Sequence, residues 1–450
     1  MKPRIFLFIA ILFSLTACIE DGFDTRPSAQ PSFSVEELDM GVQFTENPSP
    51  TAMLMIYNRN SKQINLSQVN LRSGEHFRIN VDGRSGSEFR DVEIRPNDSI
   101  YVFVECTLPV TPTAQPLEMT DMLDVITNGV TRSVPIKALA QNVARHRAEV
   151  ISGSVTWTAE LPHVIFDTLR VAPGATLTLA PGAALLFHDK AALKVEGTLL
   201  SLGTAADPVI LRGDRTGNVV ADISYDVMSA QWHGVDFARG SAGNRLSHTE
   251  IVNTVNGVTL DSLVDLTLEN SRVYNSASTI ISARGGARIR ALGSELSNAA
   301  SALLLLEGGD YQFFRSTLAN WYLFSWPDMA IVEFLDPDNT HAEFANSIIY
   351  GRDTPVGHYS DTPETADIWF RRVCFDVEGS DDARFLNCLW ATDPQLSYDL
   401  KEYTFTYLPA PESPIIQAAD PSLDPADLPA TDRHGRPRAL TLGALAPAPE

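Results

Sequence analysis

Three charged residues, Glu250, Arg272 and Glu295, recur at intervals of 22 and 23 positions in the second half of the chain. A glycoside hydrolase uses two carboxylates held roughly 5 to 9.5 Å apart, and a polysaccharide lyase uses a basic residue, often beside calcium-binding aspartates. The alternative is a solvent-exposed ladder of alternating charge, in which each ion pair contributes under about 1 kcal/mol. The ladder accounts for the pattern without catalysis. We therefore predict no catalytic residue and keep the three as candidate ligand contacts.

A second candidate is aromatic. Trp321 and Trp326 lie with Tyr322 and Phe324 in "WYLFSWPDMAIVEFLDPDNT", residues 321–340. Amphipathic aromatic rings are suited to stacking on sugar rings when they are exposed. The alternative is that these rings pack against the flank of the scaffold. We treat Trp321 and Trp326 as candidate ligand contacts.

A third group, His233, Asp236 and His248, could form a loose metal or acid–base site near "WHGVDF". Its spacing is irregular, and His248 falls at a corner of the repeat described next, so a structural role is favoured. The spacing of Cys106, Cys374 and Cys388 matches no zinc site. We predict no metal and no cofactor.

The element that must position these residues is a repeat. Alignment on six residues gives steps of 22, 23, 22, 31 and 41: His248, Asn270, Gly293, Arg315, Asn346 and Asn387. A period of 22 to 23 residues with short strands and no helical periodicity is typical of the rung of a three-sided, right-handed parallel β-helix. The two longer steps are interpreted as rungs with insertions, at 321–340 and 351–382.

The columns of this alignment have distinct characters. Two columns are apolar and predicted to point inward: Leu246, Leu268, Ala291, Phe313, Phe344 and Phe385, then Ile251, Val273, Leu296, Leu318, Ile349 and Trp390. A third contains small residues: Thr249, Ser271, Ser294, Ser316, Ser347 and Cys388. Cys388 is thus predicted to be a buried thiol, although a disulfide with Cys374 stays open. Asn253, Asn275, Asn298 and Asn320 are predicted to form corners, with amides that can hydrogen-bond along the axis.

The first part of the chain has a different sequence pattern. Residues 33–141 show short alternating strands, including "AMLMIYN" and "SIYVFVE", and Asn128-Gly129 stands between two apolar runs as a tight hairpin signal. About seven strands predict an immunoglobulin-like β-sandwich. The predicted fold class is therefore all-β, with this sandwich followed by the β-helix over 150–450.

The N-terminus predicts export. Lys2 and Arg4 precede an apolar run that ends in "LTAC", which resembles the lipobox of bacterial lipoproteins. This resemblance implies a signal peptide over 1–17, lipid attachment at Cys18 and a tether over 18–32. The acidic "IEDGFD" resembles the surface-export signal of Bacteroidetes lipoproteins. We expect an outer-membrane lipoprotein exposed at the cell surface, with the periplasmic face as the alternative.

The repeats carry a further resemblance. "WHGVDF", "LSHTEIVNTVNGVTL", "LTLENSRVYNS", "GGDYQFFRSTLANW" and "AEFANSIIYG" resemble Bacteroidetes surface lipoproteins with a right-handed parallel β-helix of the pectin-lyase-like fold. The closing "DRHGRPRALTLGA" resembles the end of such proteins, where an Asp-x-x-Gly-x-Arg stretch precedes Gly-Ala. The resemblance implies the domain order but no established activity.

The net charge of the chain limits the classes of ligand that it can bind. The net charge of −22 argues against nucleic-acid binding and makes a polyanionic glycan an awkward ligand. We expect a lipid-anchored, non-catalytic surface module whose β-helix flank binds glycan or another surface protein. The alternatives are a polysaccharide lyase or glycoside hydrolase acting on that flank, and a purely structural envelope component.

Overall fold

The computed structural model describes residues 22–215, 217–220, 223–352, 354–358 and 367–448, and the chain divides into two compact units between Asn142 and Val143. The predicted signal peptide 1–17 and Cys18 lie outside the described residues. Regular structure is almost entirely β, with two short 3₁₀ helices at Tyr225–Val227 and Pro421–Leu423. Across the described ranges, no helix combines the length and the apolar character needed to cross a membrane.

The first unit is a β-sandwich. Its strands are β1 (Ser32–Phe33), β2 (Leu38–Phe44), β3 (Ala52–Tyr57), β4 (Ile64–Leu71), β5 (Phe77–Val81), β6 (Arg84–Gly86), β7 (Glu88–Phe89), β8 (Val92–Ile94), β9 (Ser99–Cys106), β10 (Leu117–Thr127) and β11 (Val130–Gln141). One sheet has the order β1-β3-β9-β5-β6, and the other has the order β2-β11-β10-β4-β7 with β8 beside β4. Alternate residues of both sheets meet in one apolar core.

Local sequence accounts for this unit. Asn128 and Gly129 both adopt positive φ, 53° and 77°, as the tight turn between β10 and β11 requires. Residues 22–32, expected to form a tether, pack on the sandwich: Ala29 is fully buried, and the Asn128 amide donates to the carbonyls of Asp24, Arg26 and Ala29.

The second unit is a parallel β-helix. Its strands are β12 (Ala144–Arg147), β13 (Val150–Ile151), β14 (Ser154–Trp157), β15 (His163–Phe166), β16 (Thr168–Val171), β17 (Thr176–Leu179), β18 (Ala184–Phe187), β19 (Ala192–Val195), β20 (Thr198–Leu202), β21 (Val209–Gly213), β22 (Asn218–Val220), β23 (Ile223–Ser224), β24 (Gly234–Phe237), β25 (Asn244–Ser247), β26 (Thr249–Val252), β27 (Val258–Leu260), β28 (Asp265–Glu269), β29 (Arg272–Ser276), β30 (Ile281–Ala283), β31 (Ala287–Leu292), β32 (Glu295–Ala299), β33 (Leu304–Phe314), β34 (Thr317–Asn320), β35 (Val332–Ala345), β36 (Ile348–Gly351), β37 (Val356–Gly357), β38 (Asp367–Arg371), β39 (Cys374–Phe375), β40 (Phe385–Leu386), β41 (Leu396–Asp399) and β42 (Thr404–Pro409). The predicted fold class, a β-sandwich followed by a parallel β-helix, is confirmed.

Each regular rung has three sides. In the described residues, one parallel sheet runs β12-β15-β18-β21-β26-β29-β32-β34-β36-β39, and a second takes two strands from most rungs. The register repeats with the predicted period, since Glu250 pairs with Arg272 and Arg272 pairs with Glu295. All six alignment residues have positive φ between 43° and 62°, so all six turn corners, as predicted for His248.

The inward columns form the core of the β-helix. Phe313, Phe344, Phe370 and Phe385 stack at centroid distances of 4.8, 5.0 and 4.8 Å. Phe370 lies within 351–382, the interval interpreted as an insertion, and its strand β38 pairs with β35 and β40. A further rung therefore lies inside this interval. The other interval, 321–340, contains the start of β35.

The small-residue column is also internal. Backbone N–H groups of Thr249 and Ser271 donate to the hydroxyls of Ser271 and Ser294 one rung away. Cys388 donates to the Phe370 carbonyl, and Cys374 and Cys388 are both free thiols. The four corner asparagines differ in their partners: the Asn320 amide oxygen accepts the Ala299 N–H on the preceding rung, whereas other amides bond to neighbouring loops instead of forming an axial ladder. Asn253 and Asn275, for example, donate to carbonyls of residues 226–228.

Candidate functional site

The charged column occupies the sheet of β26, β29 and β32. Glu250, Arg272 and Glu295 stand side by side on consecutive rungs, as the spacing predicts. Their exposure differs from the expected solvent-facing ladder: the Glu295 side chain is 0 % exposed, that of Arg272 is 12 % and that of Glu250 is 28 %. The prediction of an exposed ladder is therefore wrong for Arg272 and Glu295.

The column is covered by residues that follow the rungs in the chain. Arg433 forms an ion pair with Glu295 and lies 3.8 Å from Glu250, while Arg272 donates to the Phe405 carbonyl. Arg272 and Glu295 are 3.5 Å apart. Burial is the largest single influence on the Arg272 pKa and lowers it, but Glu295 together with Tyr274, Glu250 and Tyr407 outweighs burial, so the pKa is raised. Two guanidinium groups thus neutralise one buried carboxylate, which is an arrangement that holds chain segments together.

We name residues 410–446 the C-terminal strap. Arg315 pairs with Asp424 at 2.6 Å and donates to the carbonyls of Ala439 and Thr441. Asp432 is fully buried and accepts backbone N–H groups from within the strap, including that of Ala446. The strap therefore lies along the same side of the β-helix as the charged column.

Two glycines allow this close approach. At Gly293, with φ of 62°, an added Cβ would lie 1.7 Å from the Arg438 guanidinium. At Gly443, with φ of 84°, it would lie 2.6 Å from both Ile348 and Thr317. The "DRHGRPRALTLGA" stretch is thus explained by docking of the strap onto the rungs.

The aromatic candidates lie on the flank of the same unit, between β34 and β35. We name residues 321–326 the aromatic loop. Trp326 is 74 % exposed and Phe324 is 46 % exposed, whereas Tyr322 is buried and its hydroxyl bonds with Ser229 at 2.7 Å. Trp321 is half-buried and stacks on Tyr398 at 4.9 Å. The loop therefore has two buried or packed rings and two rings that face solvent.

Arg352, directly after β36, connects the two tryptophans. Its guanidinium carbon lies 5.4 Å from the Trp321 ring centroid and 5.3 Å from that of Trp326. One guanidinium N–H donates to the Tyr322 carbonyl at 3.2 Å. These cation–π contacts fix the exposed indole, since each contributes about 0.5–1 kcal/mol at an exposed site.

A narrow cleft opens beside the loop. Its walls combine aromatic, amide and acidic side chains: Asp226, Val227, Tyr274, Asn275, Asn298, Tyr322, Leu323, Phe324, Tyr403 and Phe405. Its accessible volume is about 40 Å³, enough for a few water molecules but not for a sugar ring. A larger ligand would therefore lie across the mouth, against Phe324.

The sequence analysis missed part of this surface. Tyr398 on β41, with Tyr403 and Phe405 near or on β42, brings three further rings to the loop. The signal was present in "YDLKEYTFTYL", where four aromatic residues occur within 11 positions. The stretch lacks the rung pattern, so nothing local places it beside the aromatic loop.

The histidine group does not assemble. His233 pairs with Asp236 at 3.1 Å, and Asp236 accepts the Thr259 hydroxyl. His248 instead turns its corner with φ of 43° and lies 3.3 Å from the Asn270 amide. Burial lowers the pKa of His248. Within the part of the chain that the structure describes, no group of three or more His, Cys, Asp or Glu side chains is arranged to hold a metal ion.

Comparisons with known proteins add little. No family model matches the chain, and no curated protein matches it. Among solved structures, a family 123 glycoside hydrolase from Clostridium perfringens has 9 % identity over 26 % of this chain and 30 % of its own, with a TM-score of 0.18. PapD-like domain 7 of human CEP192 has 12 % identity over 29 % of this chain and 95 % of its own, with a TM-score of 0.18. At these scores neither similarity supports an argument about fold or function.

Proposed function

We propose that this protein is a non-catalytic glycan-binding module that uses the aromatic loop of its β-helix. The observation that carries the proposal is Trp326, a tryptophan 74 % exposed on a supported loop. Exposure of a large apolar ring is unfavourable by about 25 cal/mol per Å². A ring that remains exposed beside Phe324, with a largely aromatic cleft next to it, is typical of a surface that binds a ligand.

The support of the loop favours binding. Trp321 is held by its stack on Tyr398, and Arg352 lies against both indoles while bonded to the Tyr322 carbonyl. Little side-chain freedom is then lost when a ligand stacks on Trp326. A preorganised aromatic surface binds more tightly for the same contact area because this entropic cost is reduced.

The shape of the cleft favours binding over catalysis. A glycoside hydrolase holds the bond that it cleaves between two carboxyl groups, so the sugar rings joined by that bond must enter the site. Here the accessible volume is about 40 Å³, and the exposed rings lie outside it. A glycan chain lying across Phe324 and Trp326 would remain open to solvent.

The proposed location is the bacterial outer membrane, with the chain anchored through acylated Cys18 and exposed at the cell surface. The lipobox-like "LTAC" and the acidic "IEDGFD" support this location, as does the resemblance to Bacteroidetes surface lipoproteins. Two or more acyl chains would make the anchor stable.

The test is a glycan array probed with the purified full chain and with Trp326→Ala. Trp326→Ala should lose at least tenfold in affinity for a set of the bound glycans, which corresponds to about 1.4 kcal/mol. Leu335→Ala is the matched control, because Leu335 is 53 % exposed on a strand outside the loop. An array on which wild type and Trp326→Ala give the same signals would exclude this site.

A second candidate function is glycoside hydrolysis. The observation that favours it is the raised pKa of Asp376. Burial raises the pKa of Asp376, and Asp393 raises it further, although the Gly351 N–H opposes this shift. A half-buried carboxyl with a raised pKa is one feature of a general acid. A reducing-end assay on the array glycans, with Asp376→Asn as the negative control, separates turnover from binding.

A further inference from the structure

The outer face of the first sheet of the sandwich carries an unusual row of side chains. The strand register places Phe103 on β9 beside Met53 on β3 and Asn80 on β5, with Ser85 on β6 next in line. Met53 is 54 % exposed, and Phe103 is half-buried with its ring 4.8 Å from that of Tyr101. Apolar rings on the solvent side of a sheet have no role in the core beneath it.

The neighbouring row is polar and paired. Glu105 on β9 stands opposite Arg78 on β5, and the Thr51 hydroxyl donates to Glu105 at 2.7 Å. In the first row, the Asn80 amide donates to the Ser85 hydroxyl at 3.1 Å. An aromatic floor is thus bordered by an amide, two hydroxyls and one charge of each sign.

An open groove with a volume of about 690 Å³ is lined by most of these residues: Phe103, Asn80 and Ser85 from the first row, and Arg78, Glu105 and Thr51 from the second. Sites for small molecules usually have volumes of about 300–1,000 Å³ and combine an apolar floor with a few convergent polar groups. The groove on the sandwich is large enough for more than one sugar ring, in contrast to the cleft of the β-helix.

The chemistry of the groove favours a neutral, hydroxyl-rich ligand. The charges of Arg78 and Glu105 cancel, and Thr51, Asn80 and Ser85 exchange hydrogen bonds with hydroxyl groups in both directions. The net charge of −22 repels polyanions. An extended peptide is less well matched, because strand addition needs a long open edge and β6 has three residues.

We propose that this groove is a second glycan-binding site, selective for neutral oligosaccharides and independent of the aromatic loop. Phe103 stacks on a sugar ring, and Asn80, Arg78 and Glu105 bind its hydroxyl groups. A chain with two such sites gains avidity for a polymeric glycan over either site alone.

The experiment is a glycan array, with a random-peptide array alongside, probed with the full chain in five forms: wild type, Phe103→Thr, Asn80→Ala, Trp326→Ala and Met55→Thr. Threonine keeps the strand preference at position 103, and Met55 lies on the same sheet outside the groove lining. Asn80→Ala removes polar contacts without changing the aromatic floor, and thermal unfolding midpoints verify that every variant is folded.

We expect a set of neutral glycans whose signals fall at least tenfold in Phe103→Thr and in Asn80→Ala but persist in Trp326→Ala and Met55→Thr. Loss of binding in Trp326→Ala alone would support the loop and refute the groove. Signals that depend on Phe103 but come from charged glycans or from peptides would refute the proposed ligand class. An array on which every signal depends on Phe103 and none depends on Trp326 would support the groove and refute the loop.

Discussion

The charged column and the aromatic loop lie on the same β-helix, and both are candidate ligand contacts in the sequence. Glu295 is fully buried in the fold, whereas Trp326 is 74 % exposed. The exposure of these two side chains is the reverse of what residue type alone suggests, since carboxylates are rarely buried and tryptophans are rarely exposed to solvent. The C-terminal strap makes the difference, because it covers the column and leaves the loop free.

This contrast separates stability from recognition. Buried charges are retained when they are paired, and the loss of one partner leaves the others unsatisfied. An exposed ring contributes little to the stability of the fold, so a ligand is the better explanation for its exposure. Substitutions in the column should therefore affect unfolding, and substitutions in the loop should affect binding.

The largest effect on stability is expected at Glu295. Glu295→Gln leaves Arg272 and Arg433 as buried like charges, and it should lower the free energy of unfolding by about 3–5 kcal/mol. Urea unfolding provides the measurement. Glu250→Gln is the control, because its side chain is 28 % exposed and 3.8 Å from Arg433, and it should cost under about 1 kcal/mol. If the two variants lost the same free energy of unfolding, burial would not determine how much each carboxylate of the charged column contributes to stability.

A smaller effect on stability is expected at His163, whose buried side chain is neutral in the folded protein and is not part of an ion pair with any residue that the structure describes. Its ring stacks on Trp157 at 4.3 Å, and burial, followed by the nearby His146, lowers the His163 pKa from 6.5 to about 4. At a pH between these two pKa values, His163 is therefore protonated in the unfolded chain and neutral in the folded chain. Stability should fall as the pH decreases from 6.5 towards 4, by up to about 3 kcal/mol.

His163→Phe keeps a ring against Trp157 and removes this titration. Unfolding midpoints measured between pH 7 and pH 4 should fall less steeply for the variant than for wild type. Parallel curves would show that His163 does not contribute to the acid sensitivity of the β-helix.

The smallest effect on stability is expected at Trp326. Trp326→Ala should change the free energy of unfolding by no more than about 1 kcal/mol, the value of one exposed cation–π contact, even though it weakens binding at the aromatic loop at least tenfold. Trp232 is the matched control, since it is fully buried and stacks on Phe187 at 4.0 Å. Trp232→Ala should cost about 3–5 kcal/mol. A large loss of stability in Trp326→Ala would assign the loop to the scaffold.

Periodic positions could be read from the sequence because each rung repeats the same local constraints. Leu268 and Val273 point inward, Ser271 joins the buried hydroxyls, and Asn270 and Asn275 adopt left-handed backbone at corners. These features depend on steric preference and burial, which act within one rung and its neighbours.

The repeat does not predict that a later segment of the chain covers the charged column. Arg433 reaches Glu295 across 138 positions, and Tyr407 donates to Asn298 across 109. Such contacts have no period, and the stretches that make them, "YTFTYL" and "DRHGRPR", lack the rung pattern. The sequence therefore predicts which positions face outward but not which of them a later segment covers.

The strap also changes how the β-helix should open. Rungs of a solenoid contact only their neighbours, so opening can spread inward from an end one rung at a time. Here the strap contacts Asn270, Glu295, Arg315 and Asn346 on four different rungs. No one of these rungs can separate without disturbing contacts made by the other three. Amide hydrogens on β29, β32, β34 and β36 should accordingly exchange with solvent as one cooperative group, while those nearer β12 exchange independently.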